Sequence, residues 1–276
     1  MKQFENGNKI LIVIQARNNS TRLPGKIMLP LSGKPLLVRM AERVMSSRIP
    51  KEIVIATTTE SSDDNIEELC IQNNLNCFRG HPSDLLDRHY KAGLEFGADV
   101  VVKIPSDCPL ICPDVVDKVL KFFLENSDIY DFVSNLHPAT FPDGNDVEII
   151  PAEILKQAYN EAEKSFEREH TTPFIWERPE RFRIGNVILE SGLDFSMSHR
   201  FTIDYTEDYE FIKRVYDELY DEKKIFKLCD IMLLLERMPE IKKINEVYAG
   251  VNWYRNHLDD LKTISSRETS DVKRKN

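Results

Sequence analysis

Ile10-Leu-Ile-Val-Ile-Gln-Ala-Arg-Asn-Asn-Ser-Thr-Arg-Leu-Pro-Gly-Lys26 is the stretch whose reading decides the fold. Its first five residues are apolar and mostly β-branched without alternation, the pattern of a strand covered on both faces and therefore central in a parallel sheet. The loop that follows carries Arg17, Arg22 and Lys26 together with the Ser20 and Thr21 hydroxyls and Gly25. In α/β sheets ligands bind beyond the carboxyl ends of the strands, where strand order reverses, so cations in such a loop face an anion. Backbone N–H groups and the two hydroxyls add neutral donors, and the set suits a triphosphate. The loop is neither a Gly-Lys-Ser/Thr element nor a GxGxxG turn.

Working outward, two more nearly continuous apolar runs occupy 53–56 and 100–104, with a shorter strand at 76–78. Helical periodicity fills 35–45, 63–72 and 83–96, the last with Ser83 and Asp84 placed to cap it. Strand and helix in alternation predict an α/β fold with a mixed, mostly parallel sheet and helices on both faces. Past Pro113 the pattern predicts helices at 113–124, 151–165, 206–220 and 225–236, and strands at 131–134, 147–150 and 200–203. A Pro-, Asp- and Gly-rich loop spans 137–146. These elements make one domain over 9–262, with 136–188 as an acceptor-binding and dimerisation segment and 263–276 as a polar, disordered tail.

The 276 residues carry 37 Lys+Arg against 46 Asp+Glu, a net charge of −9, which gives no general attraction to nucleic acid or to an anionic membrane. A polyanionic ligand must be held by a local basic cluster. Residues 1–9 are polar, and the apolar run at 10–14 is far shorter than the ~20 residues of a membrane span, so a cytoplasmic protein is expected. Cys70, Cys77, Cys108, Cys112 and Cys229 contain no Cys-x-x-Cys pair and are expected as reduced, mostly buried thiols.

The order of motifs is more specific than any one of them. Ile-Gln-Ala-Arg and Ser-Thr-Arg-Leu-Pro-Gly-Lys (14–26), Gly-Lys-Pro-Leu (33–36), Phe-Arg-Gly (78–80), Asp-Cys-Pro-Leu-Ile (107–111), Phe-Pro-Asp-Gly-x-Asp-Val-Glu (141–148), Glu-Arg-Glu-His-x-Thr-Pro (167–173) and Asp-x-x-Glu-Asp (204–208) stand in sequence. Together they resemble the CMP-sugar synthetases, the KDO and acylneuraminate cytidylyltransferases, and among them the spore coat polysaccharide biosynthesis branch. The resemblance implies a Rossmann-like nucleotide-diphospho-sugar transferase fold, CTP as donor, a small anionic sugar as acceptor and a homodimer. A departure is Asn18-Asn19, where relatives commonly carry Met-Gly; Asn tolerates φ > 0, which would preserve the turn.

On this reading Arg17, Arg22, Lys26 and Asp107 carry catalysis. Ala16, Arg17, Ser20, Thr21, Arg22, Lys26, Arg79 and Asp107 form the nucleotide site, with Arg79 placed near the base or ribose by the resemblance. A carboxylate beside phosphates needs an intervening cation, so Asp107 predicts Mg2+. Asp204 is the expected second ligand, and helix capping is its competing role. Asp143, Asn145, Asp146 and Glu148, with Arg168 and His170, are dense enough in polar groups to bind a polyhydroxy acceptor, and Arg168 and His170 are its natural anion partners. The competing functions are a nucleotidyltransferase using another NTP with a sugar phosphate or phosphonate, and a catalytically silent nucleotide-sugar binding protein.

Overall fold

Ile10, Ile12 and Ile14 point to one face of the central sheet and Leu11 and Val13 to the other, and all five are buried. That two-sided burial follows from the period of two along a strand: a run apolar at every position can only sit between two layers. The computed structural model describes residues 8–49 and 51–272. The strands are β1 Ile10–Gln15, β2 Pro30–Leu31, β3 Lys34–Pro35, β4 Glu52–Thr58, β5 Asn76–Gly80, β6 Val100–Pro105, β7 Phe132–Ser134, β8 Glu148–Pro151 and β9 Ile184–Asn186. Seven of them form one sheet in the order β5-β4-β1-β6-β8-β7-β9, while β2 and β3 pair as a separate ribbon.

β1 pairs in parallel with β4 on one side and β6 on the other, so the chain leaves β1 towards β4 and β5 and later returns to its opposite flank. This is the reversal of strand order at which α/β sheets open a crevice. β8 runs antiparallel to β6, and β7 antiparallel to β8, making the sheet mixed. One face is covered by the helices Leu36–Met45, Asp64–Gln72 and Pro113–Glu125, the other by Leu85–Glu95 and Ala152–Glu161. A third core joins Leu31 and Leu36 to the helices Thr206–Leu219 and Leu228–Arg237.

Three expectations change. The segment 200–203 is buried but is not a ladder strand; Arg200 makes a single bridge with Asp143, and Ile203 donates its N–H to the Asp107 carbonyl at 2.9 Å. Its hydrogen bonds are taken by loops on the carboxyl edge, which alternation alone cannot foretell. The predicted disorder from Thr263 fails for residues 263–272. Ile264 enters the second core with Leu261, and Glu177 accepts the N–H groups of Lys262 at 2.6 Å and Thr263 at 2.9 Å. Residues 273–276 of that tail, and residues 1–7 of the polar N-terminus, lie outside the described residues. Finally, neither Asn18 nor Asn19 takes a positive φ; the positive φ in this loop belongs to Gly25, at 67°. Asn18 is held instead by its N–H on Asp63 Oδ1 at 2.8 Å and its amide on the Ser62 carbonyl at 2.7 Å. Among the described residues no helix is long and apolar enough to cross a membrane.

Candidate active site

Gln15 and Pro105 are register partners at the carboxyl ends of β1 and β6, so the loops that begin at Ala16 and Ser106 face each other. Between them opens a cavity of about 850 Å3, lined by Ala16, Arg17, Ser20, Thr21, Arg22, Lys26 and Asp107 and, further along, by Asp143, Asp146, Glu148, His170 and Asp204. Residues separated by up to 188 positions in sequence are thereby brought to one wall-to-wall site.

Its centre is an ionic web. The Lys26 ammonium lies 3.3 Å from Asp107 Oδ2 and 3.0 Å from Asp204 Oδ1. Arg22 reaches the same Asp204 oxygen at 2.7 Å, and Arg200 the other at 2.9 Å. Burial works against the Lys26 charge, but Asp107 and Asp204 outweigh it and its pKa is raised. Burial likewise opposes the Asp204 carboxylate, yet Lys26, Arg200 and Arg22 hold it down to about 2. Asp204 is not the helix cap: the N–H groups of Asp204 and Tyr205 go to Asp208 Oδ2 at 2.9 and 3.0 Å, leaving the Asp204 side chain to the cations.

Arg200, buried at the hub of this web, also pairs with Asp143 at 3.3 Å and Asp208 at 3.0 Å and donates to the Val251 carbonyl at 2.7 Å. Nothing in its local sequence marked it. Arg88 is a second site residue that the sequence left hidden on an amphipathic helix. It lines the cavity with its guanidinium on the His81 and Pro82 carbonyls, and burial first, then the nearby Arg17, lower its pKa to about 10. Arg17 has no carboxylate partner among the described residues. Two guanidinium groups close enough to repel each other, one of them without a carboxylate partner, suit an anion.

The other half of the cavity is acidic. Burial, followed by Asp107 and Glu148, pushes Asp146 up to about 7, while burial together with Asp146, Asp107 and Asp204 raises Asp143 against the pull of Arg200. Lys103 on β6 forms an ion pair with Glu148, its register partner on β8. A raised carboxyl pKa means that the folded chain keeps a proton the unfolded chain has lost, so this contribution to stability declines as pH rises from about 4 to 7. Asp146→Asn should therefore leave the melting temperature near the wild-type value at pH 4 and raise it at pH 8, by about 1–2 kcal/mol in unfolding free energy. Thermal unfolding across that range checks it, and a flat difference would show that Asp146 is not under this strain.

The loop that carries these acids depends on Gly144, whose φ is 99° and whose missing Cβ would stand 2.7 Å from the Phe201 carbonyl carbon and 2.9 Å from Thr202 N. Gly144→Ala is expected to cost about 2–4 kcal/mol, since backbone atoms cannot step aside and the φ is itself strained. Chemical denaturation measures it.

Three predicted site residues are placed elsewhere, and a fourth is in the cavity with another character. Arg79 does not line the cavity; its guanidinium is spent on Asp64 at 2.6 Å, Glu67 at 2.9 Å and the Thr58 carbonyl at 2.9 Å. Arg168 is likewise outside, bound to Asp84 at 2.6 Å and to the Tyr159 carbonyl at 2.9 Å. Asn145 is buried as a loop brace, accepting from Cys112 N at 3.0 Å. His170 does line the cavity, but as an uncharged ring: burial, then Lys103 and His257, lower its pKa to about 3, and it stacks on Trp253 with ring centroids 3.7 Å apart. It supplies no cation for an anionic acceptor. Ala16 is at the cavity as expected, though its N–H is committed to the Ala56 carbonyl at 3.0 Å. Asp84 caps its helix as predicted, accepting from Asp87 N at 2.9 Å.

For a divalent cation the donor set is two carboxylates that share the Lys26 ammonium, with Asp107 carrying one ion pair and Asp204 three. Mg2+ takes one or two protein carboxylates and completes its shell with phosphate oxygens and water, so the residues fit. Among the described residues no group of three or more His, Cys, Asp or Glu forms a closed cage.

Residues 11–236 match the Cytidylyltransferase family model. The spore coat polysaccharide biosynthesis protein SpsF of Bacillus subtilis is 31% identical over 239 residues, covering 84% of this chain and 96% of SpsF. The structure of a cytidylyltransferase from Leptospira borgpetersenii superposes with a TM-score of 0.80 at 35% identity, over 85% of this chain and 96% of the other. At 16% identity, the structure of CMP:2-keto-3-deoxy-manno-octonic acid synthetase complexed with CTP shares the fold with a TM-score of 0.55, over 76% of this chain and 99% of the other. The chain is an enzyme of the cytidylyltransferase family.

Proposed function

We propose that this enzyme transfers the cytidylyl group of CTP to a sugar or sugar acid, giving a CMP-sugar and pyrophosphate for surface polysaccharide synthesis. The observation that carries the reading is the meeting of Arg17, Arg22, Lys26 and Arg88 with Asp107 and Asp204 at the point where strand order reverses. The cavity, near the upper end of the ~300–1,000 Å3 typical of ligand sites, has room for a nucleotide and an acceptor together. SpsF acts in polysaccharide biosynthesis by name, and the 2-keto-3-deoxy-manno-octonic acid synthetase holds CTP.

An acceptor oxygen would attack the α-phosphorus, forming the new P–O bond as the bond to the leaving pyrophosphate breaks. Arg17 and Arg88 would gather the β- and γ-phosphates, and Arg22 and Lys26 would offset the charge that grows on the leaving group. The Ser20 and Thr21 hydroxyls and loop N–H groups would orient the chain of phosphates. Mg2+, held by Asp107 and Asp204, would supply neutralisation of the α-phosphate. As triphosphate oxygens take over Arg22 and Lys26, these cations would release Asp204 from its apo pairing. Asp143, Asp146 and Glu148 would accept hydrogen bonds from acceptor hydroxyls.

Pyrophosphate release with CTP, competed in turn by ATP, GTP and UTP, tests this reading. Selective use of CTP is expected, and preference for another NTP would replace the cytidylyl assignment with a different nucleotidyl transfer. The thiols described, all free, suit a reducing cytoplasm. The homodimer belongs to the same proposal: Ile188 and Leu193 are exposed beside the edge strand β9, as a face awaiting a second copy would be. Light scattering at micromolar concentration should give twice the chain mass, and a monomer would refute it.

A further inference from the structure

One wall of the cavity comes from residues 250–257 with Ser265, Arg267 and Glu268, beyond the family match that ends at 236. This wall is fastened to the site. Val251 accepts from Arg200, Asn245 donates to the Arg200 carbonyl at 3.0 Å, Trp253 stacks on His170, and Ser270 N closes on the Gly250 carbonyl at 2.8 Å. Leu261 and Ile264 anchor it in the second core.

Arg255 and Arg267 both line the cavity from this wall. Neither guanidinium has a hydrogen-bond or ion-pair partner among the described residues, whereas Arg22, Arg168, Arg178 and Arg200 are each tied to a carboxylate. The cavity acids Glu268 and Asp194 are bound to neutral donors rather than to these arginines: Glu268 accepts from Ser265 N at 2.8 Å and Ser265 Oγ at 3.0 Å, and Asp194 from Ser196 N at 2.8 Å. Glu169 also lines the cavity but is exposed at its rim. Beside the arginines stand Trp253 and Tyr254, whose flat apolar rings with polar edges suit the C–H face of a sugar.

We propose that the C-terminal wall is the acceptor-reading element, with Arg255 and Arg267 binding the anionic group, a carboxylate or phosphate, of a sugar whose ring packs on Trp253 and Tyr254. This rests on the cytidylyl-transfer reading and assigns its anion recognition to residues that replace the engaged Arg168 and the neutral His170. A guanidinium fork matches either anion.

The test uses the full chain with CTP and Mg2+, and three acceptor probes: 3-deoxy-manno-octulosonate, glucose 1-phosphate and neutral glucose. Pyrophosphate release gives KM, and calorimetric titration of each probe into CTP-loaded protein gives its affinity. Wild type should bind at least one anionic probe in preference to glucose. Arg255→Ala and Arg267→Ala should each weaken that probe at least tenfold, with the CTP KM within twofold and the melting temperature unchanged, because neither side chain braces the fold. Whether the sugar acid or the sugar phosphate is bound decides the source of the anion. Unchanged acceptor affinity in both variants, equal losses for CTP and acceptor, a preference for glucose, or CTP binding with no affinity for either anionic probe would overturn the proposal while cytidylyl transfer stands. Failure of wild type to bind CTP would instead remove the reading beneath it.

Discussion

Asp107→Asn is expected to lower kcat by about two to three orders of magnitude, the equivalent of ~3–4 kcal/mol of transition-state stabilisation, at Mg2+ concentrations that saturate the wild type. The substitution keeps the side chain's shape but removes the charge that balances Lys26 at 3.3 Å and that would hold a cation against the phosphates. Asp107 is about a third exposed and bears one ion pair, so its loss should leave the melting temperature within a few degrees of wild type. Pyrophosphate release with a CTP titration separates the outcomes. A variant with near-normal kcat would show that Asp107 is only a partner for Lys26, and the parallel Asp204→Asn variant, which also unbalances Arg22 and Arg200, should be worse in stability as well as rate.

Lys26→Ala is expected to weaken the fold as well as the site. Its ammonium is nearly buried between Asp107 and Asp204 and also donates to the Ile203 carbonyl, so removing it leaves the largely buried Asp204 carboxylate with one counter-charge fewer. Breaking a buried pair costs ~3–5 kcal/mol; because Arg22 and Arg200 still hold Asp204, about 2–3 kcal/mol is expected here. The sign with pH is fixed by both partners. The lowered Asp204 pKa contributes stability that is present above about pH 4 and is lost as pH falls through about 2. The raised Lys26 pKa contributes stability that is present at neutral pH and is lost only as pH climbs past its raised value. The deficit of Lys26→Ala should thus be full near pH 7 and shrink towards pH 2, which urea unfolding at a series of pH values measures. Arg22→Ala, removing a half-exposed side chain, should weaken CTP binding with a much smaller stability loss, and a variant that binds CTP as wild type does would strike Arg22 from the phosphate site.

The sequence by itself determined the layers and the place of the basic loop. Runs such as Ile10–Ile14, apolar at every position, have one stable place, and Arg17, Arg22 and Lys26 directly after such a run can only emerge at the sheet's carboxyl edge. Asp107 was legible for the same reason, since it follows β6 as closely as the loop follows β1.

Only the tertiary structure decided which charges are free to act. Arg79, Arg168 and His170 have the residue types of a binding site, but Asp64 and Glu67, Asp84, and the stacked Trp253 reach them across the fold and spend or silence their charge. Arg88 and Arg200 gave no local sign because the neighbours that mark their place in the site, Arg17 near Arg88 and Asp143 and the Val251 carbonyl on Arg200, lie far away in the chain. The same holds for the part of the C-terminal wall past Thr263, which composition reads as a polar tail although the buried Ile264 and the Glu177 carboxylate fasten it to the fold. Periodicity reports which face of an element is apolar, a property of neighbours along the chain. The pairing of a charge is a property of neighbours in space, and only the packed fold contains it.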